Sequence, residues 1–131
     1  MKSLVLLLAL VGVVVFGTTS TAVSKSSVGR KQKAVMQFDQ SVILLGITLK
    51  GEYLFVHDDE AMNRGEACTH VYKGIAEVAS KLIVSFHCVP IERAKVTHFT
   101  VRTATLSPDI TELREFQFKG DREAHGVPSG K

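Results

Sequence analysis

The chain has 131 residues and a formal net charge of +3, with 16 lysines and arginines against 13 aspartates and glutamates. A nucleic-acid-binding domain normally carries a strong basic stripe, and this near balance of charge argues against such a partner. Tryptophan is absent, which weakens the case for a site that stacks on sugars. The length predicts one folded domain rather than two.

The first 22 residues have the layout of a secretory signal peptide. Lys2 supplies a positive charge, residues 4–16 are apolar, and Ser20 and Ala22 suit the −3 and −1 positions of a cleavage site. The apolar run is shorter than the roughly 20 residues of a membrane span. We therefore predict cleavage after Ala22 and export to the periplasm or the cell exterior, with membrane contact only if the segment is retained. Residues 23–34 then form a basic linker.

Beta-branched and aromatic residues dominate residues 35–118, and turn residues interrupt them at short intervals. This pattern predicts an all-β fold, a small antiparallel β-sandwich or partly open β-barrel of about seven strands. Lys50 and Gly51 suggest a tight turn. Residues 119–131 have little to bury and are predicted to form a flexible tail. The predicted strands are Val35–Phe38, Val42–Leu49, Tyr53–His57, Cys68–Tyr72, Lys81–Cys88, Val96–Thr103 and Glu112–Phe118.

Cys68 and Cys88 are the only cysteines, and two cysteines in a small exported domain usually pair. We predict a disulfide between them that stabilises the fold by about 3 kcal/mol. Opposed residues of a hairpin lie close enough for such a bond. The predicted register places Cys68 opposite Cys88, His70 opposite Phe86, and Tyr72 opposite Val84.

This register also divides the side chains between two faces of the sheet, because side chains alternate along a strand. One face is the predicted core and contains Tyr53, Phe55, Cys68, Tyr72, Leu82, Val84, Phe86, Cys88, Phe99 and Val101. The opposite, mixed face contains Thr69, Val71, Ser85, His87, His98, Thr100 and Arg102. On it, His87 and His98 are predicted to be diagonal neighbours on adjacent strands.

Three groups of side chains contain possible metal ligands. The first group lacks any recognised zinc spacing and consists of Cys68, His70, His87 and Cys88. His87 with His98 supplies two ligands, and a third would come from His57, Asp58 or Glu66. The segment HDDEAMNRGE is rich in acidic groups but lacks the calcium-loop pattern. The alternative function is therefore a metal-binding protein or a small metal-dependent hydrolase that uses His57, Asp58, Asp59, His87 and His98.

The sequence contains no nucleophile elbow and no glycine-rich phosphate loop, so we predict no catalytic residue and no cofactor. The pattern favours an exported, non-enzymatic binding or structural module over an enzyme. An aromatic core with an open sheet edge would accept a small apolar ligand or a strand of another exported protein.

Three stretches of the chain support a resemblance. They read YLFVHDDEAMNRGEACTHVY, KLIVSFHCVPIERAK and LREFQFKGDREAHGVP. In these stretches the chain resembles small exported bacterial proteins of unassigned function. The resemblance implies a bacterial origin and an exported β-rich domain, and it assigns no catalytic residue.

Overall fold

The longest elements are two antiparallel strands, β1 (Lys31–Leu44) and β2 (Ile47–Asp58). The structure is a computed structural model that describes residues 30–128. Leu45 and Gly46 form the turn between the two strands, both with positive φ, as a two-residue hairpin turn of the primed type requires.

The predicted turn at Lys50 and Gly51 is wrong, because β2 runs through both residues. Gly51, at φ +97°, instead lies opposite Phe38, where the register shifts at a bulge.

The remaining elements are short. After β2 come the helix α1 (Asp59–Asn63), β3 (Thr69–Lys73), a single 3₁₀ turn (Ala79–Lys81), β4 (Leu82–Phe86), β5 (Val89–Glu92), β6 (Thr100–Ser107), β7 (Ile110–Gln117) and β8 (Glu123–Gly126).

The eight strands form one curled, mixed sheet that resembles half of a barrel. Its order is β4-β3-β2-β1-β7-β8-β5, and β6 pairs with β7. All pairs are antiparallel except β1 with β7, which meet in parallel at Ile43 and Glu112. The prediction of a β-rich fold is therefore confirmed.

Aromatic side chains fill the inside of the curl. Phe55 of β2 and Phe116 of β7 are fully buried, with ring centroids 5.3 Å apart, although their strands are not neighbours in the sheet. Burial of one such ring stabilises a fold by about 1.5–3 kcal/mol. Phe99, which precedes β6, packs 5.1 Å from Phe118. These contacts hold the two halves of the curl together.

The predicted register of the β3–β4 hairpin is wrong by one residue at His70 and by two at Tyr72. His70 pairs with Ser85 rather than Phe86, and after a bulge Tyr72 pairs with Leu82 rather than Val84. A slip of one residue exchanges the two faces of a strand. Val71 therefore lies in the core, whereas Tyr72 packs on the outer face with Leu54 and Val56.

On the neighbouring strands, the predicted core positions of Tyr53, Phe55 and Phe86 are confirmed, and Leu82 is exposed.

The ends of the predicted domain also need correction. The first strand begins at Lys31, within the predicted linker. Residues 119–131 are not simply a tail, because Glu123–Gly126 forms β8 and pairs with both β5 and β7. The predicted signal peptide lies outside the described residues.

Candidate metal centre

Four segments of the chain meet at one end of the curl and bring two cysteines and two histidines together. His57 is the last buried residue of β2, and Cys68 directly precedes β3. Cys88 lies in the bend between β4 and β5, and His125 lies in β8. Backbone hydrogen bonds fix this meeting point: the Asp58 N–H donates to the Cys68 carbonyl at 2.8 Å, and the Cys68 N–H donates to the Phe86 carbonyl at 3.2 Å.

The two cysteines are buried free thiols whose Sγ atoms lie 2.8 Å apart. This distance exceeds that of a disulfide bond, about 2.05 Å, although the two side chains face each other as predicted. The Cys88 N–H also donates to the Cys68 sulfur at 3.3 Å. The Cys88 thiol, which faces the Cys68 sulfur, lowers the pKa of Cys68, whereas the same contact and burial raise the pKa of Cys88.

The two imidazole rings lie side by side in the protein interior. His57 and His125 are 0% and 1% exposed, and their ring centroids are 4.0 Å apart. Both nitrogens of His57 and Nε2 of His125 have no hydrogen-bond partner among residues 30–128. Burial, followed by repulsion from His57, lowers the pKa of His125 to about 4, so this ring is neutral at physiological pH. A neutral imidazole is the form that binds a metal ion.

These side chains form a set of donors suited to a metal ion. One donor atom from each of His57, Cys88 and His125 lies within 4.8 Å of the other two. Cys68 lies outside this group of three, but its sulfur is 2.8 Å from that of Cys88, which makes it the candidate for a fourth ligand. Two thiolates and two imidazoles are the ligands of closed tetrahedral zinc sites, and the same donors suit Cu⁺.

A carboxylate adjoins each histidine, and on His125 it approaches the same nitrogen, Nδ1, that lies 3.5 Å from the Cys88 sulfur. Asp59 Oδ1 lies 3.1 Å from His57 Nδ1, at an angle outside the range of a hydrogen bond, and Glu123 Oε1 lies 3.8 Å from His125 Nδ1. Burial raises the pKa of Glu123. Carboxylates in this position commonly orient histidine ligands of metals. Asp59 and Glu123 also line an open cleft of about 940 Å³, together with Met62 and Asp121.

Of the side chains predicted as metal ligands, the structure brings only His57 into the cluster. Asp58 caps helix α1, where it accepts hydrogen bonds from the N–H groups of Glu60 and Ala61. Asp59 is beside His57 rather than among the four donors. The acidic loop is thus mostly helix α1, and Glu66 pairs with Arg64 at 3.1 Å.

His87 and His98 do not form the predicted pair. Both are exposed. His87 follows β4, which pairs with β3, whereas His98 precedes β6, which pairs with β7, so their strands are not adjacent. Nδ1 of His98 lies 3.2 Å from the hydroxyl of Thr97.

Sequence reasoning missed His125 altogether. It lies in a stretch of four residues, EAHG, that carries too few apolar side chains to indicate a strand. The one usable signal was the stretch's small residues, Ala124 and Gly126. Gly126 fits where β8 approaches β5 so closely that a Cβ atom would lie 2.9 Å from Ile91 Cδ1.

Neither a family model, nor a curated protein, nor a solved structure matches this chain. In residues 30–128, no helix combines the length and the apolar character that crossing a membrane requires.

Proposed function

We propose that this protein is an exported β domain that binds a thiophilic d¹⁰ metal ion, Zn²⁺ or Cu⁺, through Cys68, Cys88, His57 and His125. The observation that carries the proposal is the pair of buried imidazoles. Three of their four nitrogens have no hydrogen-bond partner in the described part of the chain. A buried polar group without a partner costs about 1–3 kcal/mol, and a bound cation removes that cost.

The site favours storage or structural binding over hydrolysis. A catalytic zinc ion keeps one coordination position open for water, whereas four protein ligands close the coordination sphere. The four donors are all buried. The proposal therefore retains the metal-binding part of the function predicted as the alternative, with a different set of ligands.

Binding requires only a small rearrangement of the cysteines. Two thiolates on one tetrahedral zinc ion, each about 2.3 Å from the metal, lie about 3.7 Å apart. The Sγ atoms must therefore separate from their present 2.8 Å. Because the Cys68 backbone is held by hydrogen bonds to Asp58 and Phe86, this separation must come from the cysteine side chains.

The cleft beside the site also suits a cation better than the small apolar ligand predicted from the sequence. Three carboxylates line it, those of Asp59, Asp121 and Glu123, and Arg30 forms ion pairs with Asp59 and Asp121 at 3.6 and 3.2 Å. A partner strand at an open sheet edge stays a prediction.

The second candidate is the disulfide predicted from the sequence, with a purely structural role. The 2.8 Å approach of the two sulfurs supports it. It ranks second because a disulfide bond would still leave three of the four imidazole nitrogens without a hydrogen-bond partner in residues 30–128.

Zinc titration of the reduced protein in the absence of oxygen tests the proposal, with a metallochromic dye as competitor and a parallel arm with Cu⁺. We expect one ion per chain, and affinity more than about 100-fold weaker in His57→Ala and His125→Ala. His98→Ala is the matched control and should bind as the unmodified protein does. Failure of both ions to bind, or equal binding by His125→Ala, would overturn the proposal.

A further inference from the structure

The two sulfurs of Cys68 and Cys88 lie 2.8 Å apart, and the Cys88 N–H group donates to the Cys68 sulfur at 3.3 Å. At this distance either sulfur can react with the other once one of them is oxidised. The backbone donor distinguishes the two side chains, and we take Cys68 as the sulfur that is oxidised first and Cys88 as the one that reacts with it in turn.

We propose that the metal site is redox-gated: a small hydroperoxide converts Cys68 and Cys88 to a disulfide, and the metal ion is released. This inference rests on the metal-binding function proposed above. It adds that reduced protein holds the ion and oxidised protein does not.

The chemistry needs one equivalent of hydrogen peroxide. The Cys68 thiolate attacks a peroxide oxygen, the O–O bond breaks, and Cys68 becomes a sulfenic acid while hydroxide leaves and takes up a proton as water. The Cys88 sulfur then attacks the Cys68 sulfur, the S–O bond breaks, and a second water leaves. In total the two thiolates of the metal-bound protein lose two electrons, and one peroxide takes up these electrons with two protons from the solvent and becomes two waters.

The Cys68–Cys88 disulfide and a metal ion bound by both cysteines exclude each other for reasons of geometry and charge. The sulfurs of a disulfide lie about 2.05 Å apart, whereas two thiolates on one zinc ion lie about 3.7 Å apart. The bonded sulfurs also carry no negative charge to offset that of the cation. Oxidation would leave His57 and His125 as ligands, and two imidazoles alone bind zinc weakly.

A small oxidant suits the site because its sulfurs are enclosed. Cys68 is 1% and Cys88 8% exposed, so a protein disulfide cannot reach them without local opening of the fold. The nearest cleft contains Asp59 and Glu123, whose carboxylates lie 3.1 Å from His57 Nδ1 and 3.8 Å from His125 Nδ1.

The test loads the full, reduced chain with one equivalent of Zn²⁺ without oxygen and then adds hydrogen peroxide. A metallochromic dye measures released zinc, and peptide mapping after thiol alkylation measures the Cys68–Cys88 link separately from methionine oxidation. We expect zinc release to equal disulfide formation, a loss of affinity of more than about 100-fold, and recovery after treatment with a phosphine reductant.

A Cys68→Ser variant lacks the nucleophile and should yield no internal disulfide, whereas Met62→Leu, which removes a different oxidisable side chain beside the cleft, should release zinc as the unmodified protein does. Zinc that stays bound through peroxide treatment, or zinc released with sulfinic acid instead of the disulfide, would overturn the redox gate and leave metal binding intact. If the reduced chain takes up no zinc at all, the metal-binding proposal itself fails, and the gate with it.

Discussion

The ring of His57 lies 4.0 Å from the ring of His125, centroid to centroid, across the curl of the sheet. Their strands, β2 and β8, are separated in the sheet by β1 and β7. The rings therefore meet because the sheet curls, and the aromatic core that holds the curl also holds the site. His125 stacks on Phe116, with centroids 5.2 Å apart, and this links the metal ligand directly to the core.

Replacement of His57 by leucine should stabilise the metal-free protein by about 1–3 kcal/mol, because it removes a buried ring whose nitrogens have no hydrogen-bond partner in the described residues. The same change should abolish metal binding. Urea unfolding in the presence of chelator and reductant measures the first effect, with exposed His98→Leu as the control. A His57→Leu protein less stable than the unmodified protein would show that the ring is well accommodated without a metal ion.

Asp59→Asn should weaken metal affinity by about 10–100-fold, because Asp59 Oδ1 lies 3.1 Å from His57 Nδ1 and is placed to orient the ligand. Glu60→Gln removes the same charge from the same turn of helix α1, but its side chain is exposed, and it should have little effect. Competition titration with zinc compares the two variants. Equal zinc affinities of the two variants would show that Asp59 does not orient His57.

Gly126→Ala should destabilise the protein by about 1–3 kcal/mol and weaken metal binding, because the added Cβ would lie 2.9 Å from Ile91 Cδ1 and 3.2 Å from the Val89 carbonyl oxygen. Relief of these contacts pushes β8, and His125 with it, away from β5. Ile91→Val removes the Cδ1 atom and should rescue part of the loss in the double variant. A double-mutant cycle with no coupling between the two positions would contradict this reason.

Glu115 should make stability depend on pH. It is nearly buried between Arg93 and Arg102, and the hydrogen bonds from Arg93 lower the pKa of its carboxyl below the ordinary 4.5. A lowered folded-state pKa stabilises the fold at pH values above 4.5, and the stabilisation disappears as pH falls through the lower value.

Glu115→Gln should accordingly cost about 1–2 kcal/mol at pH 7, and the difference from the unmodified protein should shrink below about pH 4. Glu112→Gln breaks the surface pair with Arg114, and that change should cost less than about 0.5 kcal/mol. Urea unfolding at several pH values measures both variants. A Glu115→Gln effect that does not change with pH would show that its cause is packing rather than charge.

The fold class could be predicted because the alternation of apolar and polar residues is local. Tyr53, Phe55 and Phe86 took their predicted places for that reason. The turn at Leu45 and Gly46 could not be predicted, because a leucine at φ 48° is held there by the pairing of β1 with β2 and not by its own preference. A bulge between Val71 and Tyr72, which leaves no clear mark in the sequence, explains only why the register error differs between His70 and Tyr72.

The site could be predicted only in part, because its geometry depends on contacts between distant segments as well as on local patterns. The sequence predicted a hairpin in which Cys68 and Cys88 face each other. The two side chains do face each other, although the predicted register of that hairpin was wrong. The approach of His57 to His125 depends on the curl of the whole sheet, which no local pattern records. His87 and His98 seemed the better pair in the sequence because neighbouring segments usually form neighbouring strands, and here their segments do not.

X-ray absorption at the zinc edge of the reduced, zinc-loaded full chain tests the central claim most directly, because it identifies the ligand atoms. The account predicts a four-coordinate shell with about two sulfurs at about 2.3 Å and about two nitrogens at about 2.0–2.1 Å. A shell made of oxygen and nitrogen alone would contradict it, as would a protein that retains no stoichiometric zinc.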